Sequence, residues 1–359
     1  MTGRKRRLSA VVAILGGVAI GWSTWYATRR AEARWEPEEV PATQFPFEVV
    51  GVFQPPPDGG FWMPMDLTVS ESRVWIVDYK AGRLYEYTRD GEFVGSIGGA
   101  GQGPGEFRAA AALGVLGDTV WVLNTGNGRI DYFDRQGRYL GTQPLPDEVQ
   151  GASHMVALGG DFIATILFNP APLLRFKRGI DLHPNDADVR PFGHEIAERA
   201  AMLQGSSLNV PQSYRLHLVG SHLWVIHAYL PVIGVYDTHG MPIQIITYPA
   251  PPIGSGQVEV VRDGGTIRRV VTGPDPVGSS GVLWSPDGRA YLLTQQEETS
   301  ESQRIYELDR DGTVVGRTVS PIGGPLVFAT SQGEGGYAIG ARSLGGEPEI
   351  YILRWRGHP

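Results

Sequence analysis

The sequence predicts an all-β protein, a six-bladed β-propeller with an N-terminal transmembrane helix. Three observations predict this fold. The 359 residues include 49 glycines and 27 prolines, a turn-rich composition that suits many short strands better than long helices. A unit of four short strands recurs six times along the chain. One apolar run, long enough to cross a bilayer, precedes the repeats.

The apolar run extends from Leu8 to Ala27, carries no charge and follows four basic residues at positions 4–7. Twenty helical residues span roughly 30 Å, about one hydrocarbon core. Trp22, Trp25 and Tyr26 stand at its far end, where an aromatic belt lies, and the basic residues favour a cytoplasmic N-terminus. The run therefore predicts a single-pass membrane segment over residues 8–27.

The domain organisation follows from this segment. Residues 1–34 form a cytoplasmic basic tip and signal anchor, residues 35–46 a linker, and residues 47–357 the propeller, which is periplasmic or extracellular. A cleaved signal peptide is the alternative, with an apolar region from Leu8 to Ile20 and its small residue at Ala27. Trp25 then occupies a position that requires a small side chain. A buried helix of a soluble protein is a third interpretation.

The charge distribution excludes one class of partner. Residues 1–34 hold seven basic residues and one acidic residue, a net of +6, and the whole chain carries −7, so the remainder carries −13. An acidic domain repels phosphate backbones, and we expect no nucleic-acid partner. The chain has no cysteine, which excludes disulfides and thiolate chemistry.

The repeat is clearest in two segments that align without a gap. Arg73–Ser96 reads RVWIVDYKAGRLYEYTRDGEFVGS, and Thr119–Thr142 reads TVWVLNTGNGRIDYFDRQGRYLGT. Each contains an apolar run with Trp in third place, a Gly-Arg-aliphatic step, an alternating aromatic run, a turn and a short final strand. Run length and β-branched or aromatic content indicate strands. Four antiparallel strands repeated radially describe a β-propeller.

Four further copies follow this pattern more loosely. The last copy stops before its fourth strand, whereas Phe47–Phe53 is an orphan strand before the first copy. Pairing the two closes the ring and removes an open sheet edge. Two insertions, residues 177–211 and 249–280, interrupt the rhythm; the first predicts a short helix within Gly193–Gly205 and the second a hairpin over Val258–Val271. The looser copies are Asp161–Phe176, His222–Ile245, Asp287–Arg317 and Gly335–Trp355.

A glycine tract, IGGAGQGPGEF at residues 97–107, lies between the first two copies. It lacks the G-x-G-x-x-G spacing and the Lys and Ser/Thr of a phosphate-binding loop. Pro104 also removes an amide donor. We interpret the tract as a connector between blades, with Phe107 tucked under the next blade; a ligand cradle is the alternative.

The tract together with NGRIDYFDRQGRYLG, residues 127–141, resembles the NHL-repeat group and related bacterial six-bladed propellers. The resemblance covers roughly residues 64–142. It implies a six-bladed ring and an interaction surface. Other relatives of this group are lyases or lactonases that hold a metal in the central channel.

A site in such a ring is expected on the face shared by the blade connectors and the loops after each second strand. Those loops begin near Asp78, Asn124, His227, Thr294 and Gly340, with Ile166 in the third copy. This set offers few metal ligands, and we predict neither a metal nor a cofactor; turn capping is the alternative role for Asp78 and Asn124. The candidate binding residues are Asp78, Lys80, Asn124, Arg108, His227 and Arg342.

The histidines give no catalytic set. His222 and His227 stand five residues apart, about 17 Å along a strand, too far to share one ion. His154 is placed before the first strand of the third copy, and His217 within the fourth. We expect core or solvated roles for these side chains.

The function expected from the sequence is that of a non-catalytic binding module for a protein, a peptide or an envelope glycan. The alternative is a metal-dependent lyase or lactonase with its site in the central channel. A third possibility is a structural module with no ligand of its own. The anchor at residues 8–27 makes the membrane itself a partner.

Overall fold

A computed structural model describes residues 40–70, 72–166, 172–204, 213–249, 257–263, 266–272, 279–294, 304–320, 322, 326–330, 337–342 and 348–357. These residues form six four-stranded antiparallel sheets, a separate two-stranded hairpin and one α-helix. The predicted all-β propeller is confirmed. Within the described residues no helix is long and apolar enough to cross a membrane; the predicted anchor at residues 8–27 lies outside them.

The first three blades each follow chain order from the innermost strand outward. Blade 1 comprises β2 (Pro64–Val69), β3 (Arg73–Asp78), β4 (Arg83–Thr88) and β5 (Phe93–Ile97), and is preceded by β1 (Phe47–Val52). Blade 2 comprises β6 (Ala110–Leu116), β7 (Thr119–Asn124), β8 (Arg129–Asp134) and β9 (Tyr139–Pro144). Blade 3 comprises β10 (Ala152–Leu158), β11 (Asp161–Ile166), β12 (Leu173–Lys177) and β13 (Arg190–Phe192).

Blades 4 and 5 repeat this order, and blade 6 takes its outermost strand from the N-terminus. Blade 4 comprises β14 (Tyr214–Val219), β15 (His222–His227), β16 (Val232–Tyr236) and β17 (Pro242–Thr247). The hairpin β18 (Gln257–Asp263) and β19 (Thr266–Thr272) follows. Blade 5 comprises β20 (Ser279–Trp284), β21 (Ala290–Thr294), β22 (Arg304–Leu308) and β23 (Val314–Val319). Blade 6 comprises β24 (Leu326–Thr330), β25 (Tyr337–Arg342) and β26 (Glu349–Trp355).

The apolar runs form the second strands because both faces of each blade pack on a neighbour. In β3, β7 and β15 every residue after the first is buried, as expected for strands covered on both faces. Six apolar clusters each lie between two adjacent blades, and together they link the blades into a closed cycle.

The ring closes as the sequence predicts. Strand β1 pairs antiparallel with β26, with Phe47 opposite Trp355 and Val52 opposite Tyr351. Phe47 is buried between blades 5 and 6 and makes an edge-to-face contact with Tyr291 at 5.6 Å. The N-terminal strand therefore contributes core packing as well as hydrogen bonds.

The first of the two insertions contributes a strand to the propeller as well as a surface element. The predicted helix is present as α1 (His194–Gln204), and the predicted hairpin as β18 and β19. The first insertion also contains β13, which pairs with β12 and completes blade 3. This three-residue strand has the sequence RPF, too short and too polar for a pattern to reveal.

Residues assigned to the linker also join the sheet structure. The N–H of Thr43 donates to the Arg317 carbonyl at 2.8 Å, and the N–H of Arg317 donates to the Pro41 carbonyl at 2.9 Å. The chain before β1 thus lies alongside β23, the outer strand of blade 5.

Candidate functional site

The ends of the second strands share one face with the connectors between blades, as expected. In each sheet the first residue of the innermost strand lies opposite the last residue of the second strand: Pro64 opposite Asp78, Ala110 opposite Asn124 and Tyr214 opposite His227. Three of the predicted binding residues therefore occupy equivalent positions.

Asp78 is fully buried, and its side chain binds backbone amides of the loop that follows it. Its carboxylate accepts hydrogen bonds from the N–H groups of Lys80 and Ala81, which follow it, and from those of Trp62 and Met63, which precede β2. The distances lie between 2.7 and 3.1 Å. The carboxylate joins the connector to the turn, which is a structural task.

Asn124, at the equivalent position of blade 2, holds the connector but makes no side-chain hydrogen bond to its own turn. Its Oδ1 accepts from the N–H of Arg108 at 2.9 Å, and its Nδ2 donates to the Glu106 carbonyl at 2.8 Å and to Asp131 Oδ2 at 2.6 Å. Asp131 is buried, and burial raises the pKa of its carboxyl group against the opposing effect of bonds from Asn124 and Arg129.

His227 caps the corresponding turn of blade 4. Its Nδ1 accepts from the N–H groups of Tyr229 and Leu230, both at 3.1 Å. Asp78 uses the residues at the same two offsets. Because the ring is completely buried, desolvation lowers the pKa of His227 to about 3. Like Asp78, His227 is therefore a buried turn cap; its Nε2 is also buried and makes no hydrogen bond with a described residue.

The register corrects one position of the predicted set. Arg342, not Gly340, lies opposite the first residue of β24 and is the blade 6 counterpart of Asp78. Arg342 ends β25, and the structure describes its backbone only. Ile166 and Thr294 hold the same position in blades 3 and 5.

Lys80 and Arg108 differ from the caps because both side chains are exposed. They line one groove of about 250 Å³ that also contains Tyr79, Gly101 and Gln102. Neither side chain makes an ion pair with a residue that the structure describes. Two acids of the adjoining segments are engaged elsewhere: Asp78 binds four amides, and Glu106 accepts from the Gly103 N–H at 2.8 Å.

The exposed Tyr79 lines this groove, and two further exposed apolar residues, Trp62 and Met63, are hydrogen-bonded to the segment that carries it. Trp62 is 59% exposed, Tyr79 40% and Met63 38%. They stand together because the Tyr79 N–H donates to the Met63 carbonyl at 2.9 Å and Asp78 holds the amides of Trp62 and Met63. We call these five residues, Trp62, Met63, Tyr79, Lys80 and Arg108, the blade 1–2 patch. Trp62 and Met63 precede the aligned repeat, so no repeat position pointed to them.

The glycine tract is a connector, as interpreted. Phe107 is buried between blades 1 and 2 and contacts Phe133 edge to face at 5.7 Å. Gly98 has a φ of +81°, and Phe107 Cε2 lies 2.3 Å from where a Cβ would stand. Arg129 donates to three carbonyls of the tract, those of Gln102, Gly103 and Glu106.

A second cavity lies in the central channel, among the innermost strands. It measures about 280 Å³ and is lined by residues of blades 1 to 5. Four ionisable side chains line it: Asp66, His154, Arg215 and His217. Sequence reasoning placed His154 before the first strand of its copy; the structure places it within β10, facing the channel. The ionisable residues of this cavity lie on first strands, not on the loops that the sequence predicts to carry the site.

Burial controls the ionisation of these four groups. Desolvation raises the pKa of Asp66 to about 7, although its carboxylate accepts from the N–H groups of Leu67 and Leu113. Desolvation, aided by the charge of Arg215, lowers the pKa of His217 to about 4 and that of His154 well below its usual value. Both imidazoles are therefore neutral at pH 7. Their ring centroids lie 6.5 Å apart.

The described residues contain no group of three or more His, Asp or Glu side chains placed to hold a metal ion. His154 and His217 approach each other, but Asp66 is engaged by backbone amides of blades 1 and 2. The channel thus presents a cation, two neutral imidazoles and the amide-bound carboxyl group of Asp66 to whatever enters it.

Comparison with known proteins supports the fold. Residues 63–162 match the DUF5128 family, described as a 6-bladed beta-propeller. No curated protein matches the sequence. The NHL-repeat resemblance remains a prediction, since the matching family does not carry that name.

Several solved structures share the fold at low sequence identity. A DUF4221 family member from Bacteroides vulgatus has a TM-score of 0.56 and 9% identity, covering 88% of this chain and 100% of its own. A protein from Bacteroides fragilis described as exported has a TM-score of 0.55 and 11% identity, covering 88% and 98%. Catalytically inactive virginiamycin B lyase from Staphylococcus aureus, solved with quinupristin, has a TM-score of 0.50 and 16% identity, covering 86% and 99%. These similarities show the propeller fold alone.

Proposed function

We propose that this protein is a membrane-anchored, extracytoplasmic six-bladed propeller that acts as a non-catalytic binding module. Its partner is an acidic segment of another protein of the cell envelope. The observation that carries the proposal is the blade 1–2 patch: the exposed Tyr79 lines one groove with two exposed cations that make no ion pair with a described residue, and the exposed Trp62 and Met63 are hydrogen-bonded to the segment that carries Tyr79.

The composition of the patch favours a protein partner. Aromatic side chains, Met and Arg are enriched in interfaces and supply much of their binding energy. Lys80 and Arg108 form a local positive site on a chain whose residues 35–359 carry a net charge of −13 by sequence. This local charge favours an acidic segment and repels a basic one. The anchor predicted at residues 8–27 supports a location at the outer face of the membrane.

The test is crosslinking of the tagged full-length chain in intact cells, followed by purification from the membrane fraction and mass spectrometry. We compare the wild type with W62A/Y79A and with K80E/R108E. The matched control is M241A/I243A, which removes two exposed apolar side chains from blade 4. A protein recovered with the wild type and the control, and lost with both patch variants, supports the proposal.

Recovery of the same proteins with all four chains would overturn it. So would recovery of a polysaccharide in place of a protein, which would assign the aromatic side chains to a glycan. Because the charge reversal replaces attraction of an acidic segment by repulsion, any of the recovered protein that K80E/R108E still retains is expected to elute at lower salt than it does from the wild type.

A further inference from the structure

The innermost strands place one residue of each blade at the same level of the channel. Each of them pairs with the last residue but one of the second strand in its own blade. In blade 1 Asp66 lies opposite Val77, and in blade 4 Arg215 lies opposite Ile226. Blades 1 and 4 are three steps apart in a ring of six, so Asp66 and Arg215 face each other across the axis. The six positions are Asp66, Ala112, His154, Arg215, Gly281 and Phe328.

Arg215 has no partner of its own at this level. Its half-buried guanidinium lines the 280 Å³ cavity and makes neither a hydrogen bond nor an ion pair with any residue that the structure describes. Asp66 acts on it only through space, because that carboxylate is held by the amides of Leu67 and Leu113. A cation removed from bulk water without a partner is unfavourable unless something else supplies the negative charge.

The neighbouring imidazoles supply further polar atoms. His154 is only 8% exposed, lines the cavity and has an Nδ1 without a hydrogen-bond partner. The Nε2 of the cavity-lining His217 is likewise without one. A neutral imidazole carries one N–H donor and one acceptor nitrogen, whereas a guanidinium only donates, so each ring can turn one N–H donor toward a ligand that Arg215 holds.

We infer that the channel cavity is a binding site for a small oxyanion, a carboxylate or phosphate group that the guanidinium of Arg215 holds together with His154 and His217. Arginine presents a planar fork of N–H donors that matches both groups. The remaining lining is largely apolar, with Leu113, Met155 and Val282 among its members. The ligand is therefore a compact anion with room for a short apolar stem. This site is separate from the blade 1–2 patch.

The experiment titrates the purified full-length chain in detergent with sodium butyrate and with sodium phosphate, each against sodium chloride at equal ionic strength. Calorimetry and the melting temperature are measured for the wild type, R215Q and R215K. The matched control is R190Q, which removes an exposed guanidinium from blade 3. We expect saturable binding to the wild type and R190Q, at least tenfold weaker binding to R215K, and none to R215Q. Butyrate binding assigns a carboxylate, and phosphate binding assigns a phosphate group.

A second measurement separates a binding role from a structural one. Because Arg215 has no partner to lose, R215Q is expected to melt at or above the temperature of the wild type when no anion is added. An R215Q chain that melts lower or fails to fold would mean that the guanidinium stabilises the ring, and would overturn the inference. Equal responses of the wild type to butyrate, phosphate and chloride would overturn it as well.

Discussion

Arg129 and Asp131 lie two residues apart on β8, and the Nε of Arg129 donates to Asp131 Oδ1 at 2.8 Å. The same guanidinium donates to the carbonyls of the glycine tract, and the same carboxylate accepts from Asn124. This pair therefore connects a buried cap, a strand and the connector between two blades. It explains the Gly-Arg-Ile-Asp sequence at residues 128–131 in physical terms.

Replacing Arg129 by Ala is expected to destabilise the protein strongly. The change leaves Asp131 as an uncompensated buried carboxylate and frees carbonyls of the tract, at a cost of about 3 kcal/mol. Denaturant unfolding measures the loss. The control R135A removes an exposed arginine of the same strand–turn unit and should change stability by less than about 0.5 kcal/mol.

The double variant R129M/D131L tests whether the two residues act as a pair. It removes both charges together, so its loss is expected to be smaller than the sum of the R129M and D131L losses. Additive losses would show that Arg129 and Asp131 stabilise the connector independently.

Glycine at position 98 is required by both backbone and space. Its φ is +81°, and an added Cβ would meet Phe107, which fills the space between blades 1 and 2. We expect G98A to cost roughly 2–4 kcal/mol from left-handed strain and displacement of the phenyl ring. The adjacent Gly99 has open space and no positive φ, so G99A should leave the unfolding free energy nearly unchanged. Equal effects of the two substitutions would contradict this account of the tract.

Acid sensitivity is expected to depend in part on His227. Its folded-state pKa of about 3 lies below the usual 6.5, so the unfolded chain takes up a proton first as the pH falls. The stability contributed by the neutral ring is complete above pH 6.5 and is lost progressively toward pH 3, with about 2 kcal/mol gone at pH 5.

The variant H227N tests this prediction because Asn124 holds the equivalent position in blade 2, where its Oδ1 accepts from a backbone N–H. An amide oxygen can accept the same backbone bonds and does not titrate, so the variant should lose less stability than the wild type between pH 7 and pH 5. The control H222N alters an exposed histidine of the same strand. Parallel pH profiles for the wild type and H227N would show that other groups, such as His217, account for the acid loss.

The sequence predicted the fold well because its signals are local and repeated. Trp75 and Trp121 fall at the same place in aligned copies. The last copy lacks a fourth strand, so the unpaired strand at Phe47 had one sheet edge with which to pair. The strand β13 escaped prediction because three residues, one of them proline, carry no periodicity. Its membership of blade 3 is decided by tertiary pairing with β12.

The candidate site was harder to predict than the fold. Asp78, Asn124 and His227 do lie on one face, but their side chains point inward, because nearby backbone groups bind them: Asp78 and His227 cap turns, and Asn124 holds a connector. The channel-facing positions depend on register. The pairing of β2 with β3 shifts by one residue between Pro64 and Asp66, whereas the pairing of β14 with β15 has no such shift. Asp66 is therefore the third residue of its strand and Arg215 the second residue of its own, although both lie at the same level of the channel. No spacing rule in a single sequence shows such a shift.

The N-terminal segment provides the last prediction, which concerns location. A fusion of alkaline phosphatase to the C-terminus is expected to be active, because this enzyme needs an oxidising compartment to form its disulfides. The full-length chain should stay with the membrane after an alkaline wash and keep residues 1–34 when its mass is measured. The variant L15R places a charge near the centre of the apolar run, which makes membrane insertion less favourable by roughly 3 kcal/mol. L15R should therefore reduce both insertion and phosphatase activity, whereas L15A should not. A mature chain that begins at residue 28 and leaves the membrane would instead identify residues 8–27 as a cleaved signal peptide, and the propeller would then reach its partner without an anchor.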